Sequence, residues 1–457
     1  SFGKHQVSAL AGFNQEYNSH RYMRGEREEL ISSSLPSVEL ATGSARVRED
    51  NYEWATRGGF FRLNYIYNNK YIFEANGRYD GSSRFPKNDR FGFFPSISAA
   101  WIISQEKFMH ATQNWLNYAK LRISYGALGN QDVSYYEYIA SMGSSEQQLL
   151  INGIKPMGVT PSGLVSNSLT WEKVYTKNIG LDLNFFNNRL TFSGDIYRRD
   201  TKDMLTKGKT LPSVLGALEP RINAADMKTE GWEISLGWRD LFNLGNKPFS
   251  YNVKFILSDN RSFITRFDNP TGNLDDWYEG CEIGEIWGLV TEGFFKDQAD
   301  IDNHADQWDV TSYPGDRPIE PGDLKYKDLD NNGKINNGSW TVNDPGDYKV
   351  IGNNASRYNY GADFTAEWNG LDFRVLLQGV GKRDLWIMND LFYPHYDAWT
   401  TVYDTQLNYW TPERTDSYFP RLYEKAAGNT AANTRIQTRY LQDGSYLSIR
   451  NITLSYN

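Results

Sequence analysis

The chain holds one cysteine, Cys281, in 457 residues, so neither a disulfide scaffold nor a cysteine-rich zinc site can be built from it. Its five histidines, His5, His20, His110, His304 and His395, fall in separate segments without metal-ligand spacing. No apolar run reaches the roughly 18 residues that mark a membrane-spanning helix. Positive charge is not in excess either: 48 Lys and Arg against 56 Asp and Glu leave −8, which argues against a surface that tracks nucleic-acid phosphates. Neither a G-x-S-x-G elbow nor a G-x-x-x-x-G-K-[ST] loop is present, and adjacent acids such as Asp275-Asp276 read as a solvated turn rather than a glycosidase pair. An enzyme is therefore not expected. Apolar residues make up only 39%, yet aromatics reach 15%, so amphipathic rings replace aliphatic weight.

What is abundant is alternation. Trp232, Ile234, Leu236 and Trp238 share one parity while Glu233, Ser235 and Gly237 share the other, which is the period of a strand between two different environments. Tyr360, Ala362, Phe364, Ala366 and Trp368 against Gly361, Asp363, Thr365 and Glu367 repeat the pattern. It predicts twelve strands near 4–17, 57–67, 70–80, 92–104, 118–127, 170–186, 189–201, 229–240, 249–265, 358–368, 371–382 and 446–457. Most reach the roughly 9–11 residues that a tilted strand needs to cross a bilayer. Near Arg450-Asn451 the alternation slips phase, which predicts a β-bulge.

The connections sort into two kinds. Asn68-Asn69, Asn187-Asn188 and Asn369-Gly370 are tight-turn dipeptides, and 105–117 and 241–248 also take short places. Between them run long excursions, 18–56, 81–91, 128–169, 202–228, 266–357 and 383–445, more than half of the chain. Strict alternation of short and long connections is the asymmetry of an outer-membrane barrel. A soluble β-sandwich also buries one face and wets the other, but such loops are too large for a compact soluble domain. A propeller would show an internal repeat, and none is seen. Tyr65, Tyr67, Tyr71, Phe185, Phe186 and Trp368 gather at strand ends, where an interfacial girdle wants them. Arg122 and Arg374 are expected on the water-filled side, because charge on the lipid face costs about 2–4 kcal/mol at the midplane.

Seven segments in order resemble the SusC/RagA family of TonB-dependent outer-membrane transporters. They are RYDGSSRFPKNDRFGFF from Arg78 with PSISAAW to Trp101, SYGALGNQD from Ser124, LTWEKVYTKNIGLDLNFFNNRLT from Leu169, KTEGWEISL from Lys228, EIWGLVTEGFF from Glu285, YWTPERTDSYFPRL from Tyr409, and YLSIRNITLSY from Tyr446. The resemblance implies an all-β, transmembrane antiparallel β-barrel, with residues 1–457 supplying about twelve strands of a 22-stranded family barrel. The plug and last strands are then expected elsewhere in a longer polypeptide. Residues 266–357 and 383–445 become large extracellular loops. The resemblance further implies bacterial outer-membrane location, import of oligosaccharides with a SusD-like lipoprotein, and energy from the TonB complex acting through a plug. Oligopeptide import is the alternative within the family, and a soluble carbohydrate-binding or glycan-degrading β protein the alternative outside it. Whether two importer units pair stays open.

Two groups of residues carry candidate chemistry. Asp328, Asp330 and Asn332 occupy positions 1, 3 and 5 of an EF-hand-like loop, with Gly333 at 6, the Lys334 carbonyl at 7 and Ile335 at 8. Ser339 stands where the bidentate acid belongs, leaving Asp344 or Asp347 to complete a Ca2+ shell. The competing reading is an Asn/Asp/Gly turn that binds nothing. The loops also carry aromatics among acids and amides, a composition suited to sugar rings. Trp277, Tyr278, Trp287, Trp308, Tyr396 and Trp399 are the candidate substrate contacts, although most loop aromatics, Trp340, Tyr393, Tyr403 and Trp410 among the rest, are expected to build small cores.

Overall fold

A computed structural model describes residues 3–160, 162–208, 211–212, 214, 216, 219–311, 318–389, 392–393, 401–423 and 433–456. Twelve strands form one antiparallel sheet in chain order: β1 (His5–Arg27), β2 (Ala45–Tyr67), β3 (Tyr71–Ser82), β4 (Phe91–Ile102), β5 (Leu116–Asn130), β8 (Glu172–Phe185), β9 (Leu190–Lys207), β10 (Arg221–Leu244), β11 (Lys247–Arg266), β16 (Arg357–Trp368), β17 (Leu371–Lys382) and β20 (Tyr446–Tyr456). The others pair in twos within connections: β6 (Gly143–Glu146) with β7 (Met157–Thr160), β12 (Glu285–Gly288) with β15 (Lys349–Asn353), β13 (Thr291–Phe294) with β14 (Leu324–Tyr326), and β18 (Asp384–Trp386) with β19 (Leu441–Asp443). Contacts divide the chain into two compact units, Ser1–His110 with Lys120–Gly180 and Tyr197–Met227, and Ala111–Ala119 with Leu181–Ile196 and Lys228–Asn457.

In the first unit the register of β1 to β4 separates two faces. One face reads, row by row across the four strands, His5, Tyr67, Tyr71, Trp101; Val7, Tyr65, Phe73, Ala99; Ala9, Leu63, Ala75, Ile97; Ala11, Phe61, Gly77, Pro95; and Phe13, Gly59, Tyr79, Phe93. Phe13 and Phe93 expose 68% and 55% of their surface, so among the described residues nothing covers them. The opposite face carries Ser8, Asn64, Glu74 and Ser98, then Asn14, Gly58, Asp80 and Gly92. There Arg62 pairs with Glu74, and Arg78 donates to Asp80 at 2.9 Å and to Asn14 at 3.2 Å. Arg122 lies opposite Ala100 on this polar side. Large rings in the open on one face and ion pairs on the other are what lipid outside and water inside require. At one rim, Tyr67 and Tyr71 stack at 6.3 Å, and Tyr71 and Trp101 at 6.5 Å.

Two predicted boundaries move. The excursion 18–56 is mostly a hairpin: β1 and β2 stay paired from Tyr17 opposite Ala55 out to Arg27 opposite Ala45. Likewise β9 runs to Lys207 and β10 begins at Arg221. These arms are polar on both faces, so hydrophobic period fails where backbone pairing continues. Beneath the connections Phe85, Phe94, Val133, Leu169 and Trp171 form a small core, with the Trp171 indole donating to the Arg90 carbonyl at 2.8 Å.

In the second unit, Asn369 and Gly370, both at positive φ, close a two-residue turn between the paired Trp368 and Leu371. Arg374 donates to Asp363 at 2.8 Å on the polar face. The bulge lies where phase slips: Leu376 faces Asn451 and Leu377 faces Ile449, which leaves Arg450 as the extra residue. Residues from both long connections share one core, with Leu289, Leu324, Tyr326, Ile335 and Tyr440 wholly buried and Tyr393 and Phe419 nearly so.

Candidate functional site

The acid-rich loop after β14 folds on its own side chains. Asp328 accepts from the amides of Asn331 at 2.7 Å and Gly333 at 2.8 Å, Asp330 from the Asn332 amide at 3.0 Å, and Asn332 from the Lys334 amide at 2.8 Å. Gly333 sits at φ +83, where a side chain would be strained. Buried Ile335 fastens the loop, its amide donating to the Asp306 carbonyl at 2.7 Å while Asp306 donates to Gly333 at 3.0 Å. Ser339, which stands where the bidentate acid belongs, donates to Asp344, one of the two acids expected to replace it, at 2.6 Å.

Asp347 is the acid that gathers with Asp328 and Asp330. It is fully buried, accepts from the amides of Leu329 at 2.7 Å and Asn336 at 2.8 Å, and brings an oxygen within 4.8 Å of those of Asp328 and Asp330. Burial raises the Asp347 carboxyl above its ordinary value, with the nearby charges of Asp330 and Asp328 adding to the rise. Asp328 goes the other way, since the Gly333 and Asn331 amides outweigh its desolvation. Three carboxylates with oxygens within 4.8 Å of one another make a donor set suited to a hard divalent cation.

Beside this loop lies a cavity of about 210 Å³ lined by Asp309, Val310, Asn337, Trp340, Tyr348 and Arg435. The Trp340 indole donates to Asp275 at 2.8 Å and meets the Tyr348 ring edge-on at 5.0 Å, which sets its plane. Arg435 donates through Nε to the Val310 carbonyl at 2.7 Å. An aromatic wall with an acid, an amide and a guanidinium can hold a small polar ring.

The six aromatics expected to meet substrate fare differently. Tyr278 and Trp287 converge on Glu285, Trp287 donating at 2.9 Å, so they form an internal hub. Burial and the Glu285 charge push the Tyr278 phenol upward, and they raise the neighbouring Cys281 thiol to about 12. Trp308 remains 46% exposed next to cavity residue Asp309, and Trp277 is 37% exposed with its ring edge-on to Phe267 at 5.8 Å. Tyr396 and Trp399 lie outside the described residues. Asp309, Asn337 and Arg435 went unnoticed in the sequence because three distant segments supply them, and no local pattern joins them.

Similar proteins give this geometry a family. The chain is 28% identical to TonB-dependent receptor P3 of Formosa agariphila over 100% of its own length and 44% of that protein's. It is 26% identical to TonB-dependent receptor SusC of Bacteroides thetaiotaomicron, covering 90% of this chain and 39% of SusC. Thus it spans less than half the length of the curated relatives it matches. In fold it superimposes on the RagAB peptide transporter with a TM-score of 0.76 at 21% identity, over 99% of this chain and 46% of that one. All three are receptors or transporters by name, and none is an enzyme. The family described as TonB dependent receptor-like, beta-barrel matches residues 2–411, and the chain belongs to that family of outer-membrane proteins.

Proposed function

We propose that this chain supplies wall strands and outer loops of a SusC-like importer that takes up oligosaccharides together with a SusD-like surface lipoprotein. Energy would come from the TonB complex through a plug outside these residues. The single observation that carries the cargo assignment is the outer-loop cavity in which the Trp340 ring stands beside Asn337, Asp309 and Arg435. A sugar offers that ring its C–H patch and the polar groups its hydroxyls. Among the described residues, exposed Trp308, next in sequence to the cavity residue Asp309, would extend this surface. We also propose that Asp328, Asp330, Asn332, the Lys334 carbonyl and Asp347 hold Ca2+, which would brace the loop that presents Asn337.

Oligopeptide cargo is the second reading. Asp309 and Arg435 put opposite charges in one cavity, which would suit peptide termini, and RagAB is described as a peptide transporter. Isothermal titration of the full importer complex with mixed oligosaccharides and mixed peptides decides between them. The glycan reading expects heat with sugars that Trp340→Ala abolishes. Tight binding of peptides alone overturns it.

A further inference from the structure

One more row follows on the apolar face of β1 to β4, just beyond Phe13 and Phe93: Gln15 opposite Arg57, Arg57 opposite Gly81, Gly81 opposite Phe91. This row is on the side of the long connections, so it belongs to the outer rim. From His5 to Gln15 the strand advances about 33 Å, which a tilt of roughly 40° reduces to about 25 Å, the height of a barrel's lipid-facing band. Arg57 therefore stands where hydrocarbon gives way to headgroups.

The surroundings of Arg57 are cationic. A cavity of about 450 Å³ opens there, and its lining includes Arg57, Lys87 and Arg90 with Gln15 and Ser83 but no carboxylate. None of the three cations forms an ion pair among the described residues. The nearest acid along β2 on the same face is Glu53, two rows further out and bonded by Ser19. Arg57 lies over the Phe91 ring at 5.4 Å, and Phe91 stacks on Tyr79 at 5.2 Å. Arg90 is aimed by its Nε bond to the Phe85 carbonyl at 3.0 Å, which leaves its terminal nitrogens for another acceptor. Three positive charges in no ion pair among the described residues, one of them over an aromatic ring, at the top of a lipid-facing wall match a phosphate whose acyl chains run down that wall.

We propose that Arg57, Lys87 and Arg90 form a binding site for the phosphate of an outer-leaflet lipid, with Phe91 and Tyr79 packing against its chains. The site lies on the outside of the wall, apart from any cargo route, and does not depend on which cargo is carried. Native mass spectrometry of the full polypeptide in detergent, titrated with dioleoyl phosphatidic acid, dioleoyl phosphatidylcholine and inorganic phosphate, tests it. Phosphatidic acid should be retained preferentially, and equimolar inorganic phosphate should not displace it. Each cation removed should weaken retention about five-fold, so that R57Q/K87Q/R90Q loses about 100-fold while R57K/R90K stays near the parent. Heat-modifiable gel migration reports folding, and Lys87→Gln, in an exposed turn, preserves the test if the triple variant fails to fold. Equal retention of the two lipids, or an unchanged affinity in R57Q/K87Q/R90Q, overturns the site; displacement by inorganic phosphate would make it a free-anion site and overturn the lipid.

Discussion

The wall of β1 to β4 and the core shared by the two long connections use the same aromatic residues in opposite ways. In the wall, Phe13, Phe73 and Phe93 stand in the open and the charged pairs face inward. In the loop core, Tyr326 and Tyr440 are wholly buried, and Asp323 and Asp347 are buried as well. The difference is one of solvent: hydrocarbon replaces protein as the partner of the wall's apolar face, whereas the loops must cover their own rings. Exposure of a large ring is therefore the rule on the wall's outer face, while the loops bury rings such as Tyr326 and Tyr440 and leave Trp308 and Trp277 partly exposed.

Breaking each region should show this. Tyr326→Ala should cost the loops about 3–5 kcal/mol, read as protease sensitivity of 285–356 with the strands still protected from hydrogen exchange. Leu63→Arg, in the middle row of the apolar face, should cost about 2–4 kcal/mol in a bilayer unfolding titration, while Met23→Arg, on the polar arm, should cost almost nothing. A third test uses Asp323, which burial lifts to about 6 although the Glu320 amide and Asn433 both donate to it. Its folded value lies above the ordinary one, so the folded loops bind the extra proton. Stability should fall by at most about 3 kcal/mol as pH rises from 4 to 6, then level off. Asp323→Asn should flatten that slope in loop melting curves. Among the changes expected to destabilise, the smallest effect belongs to Gly370→Ala at φ +87, about 1 kcal/mol in the same bilayer titration used for Leu63→Arg.

How legible each region was follows the same division. All twelve wall strands could be read in order because two solvents write a period of two, and the bulge could be read from the phase slip between Ile449 and Ile452. The outer arms of β1 and β2 could not, since Asn18, Ser19, His20 and Arg21 meet water on both faces and carry no period. In the loops, composition announced aromatics without announcing their partners: nothing local brings Arg435 to Trp340. The acid loop was half legible. Its first positions follow a spacing rule, while the gathering of Asp347 with Asp328 and Asp330, and of Ser339 with Asp344, depends on the fold of the loop.

The spare residue at Arg450 makes the last strand tolerant of length. Because Leu447 and Ile449 on one side of it and Ile452, Leu454 and Tyr456 on the other already face the same way, removing Arg450 would straighten the ribbon without turning any side chain over. A shortening there is neutral to the membrane, whereas one anywhere else along β20 would trade its oily side for its wet one.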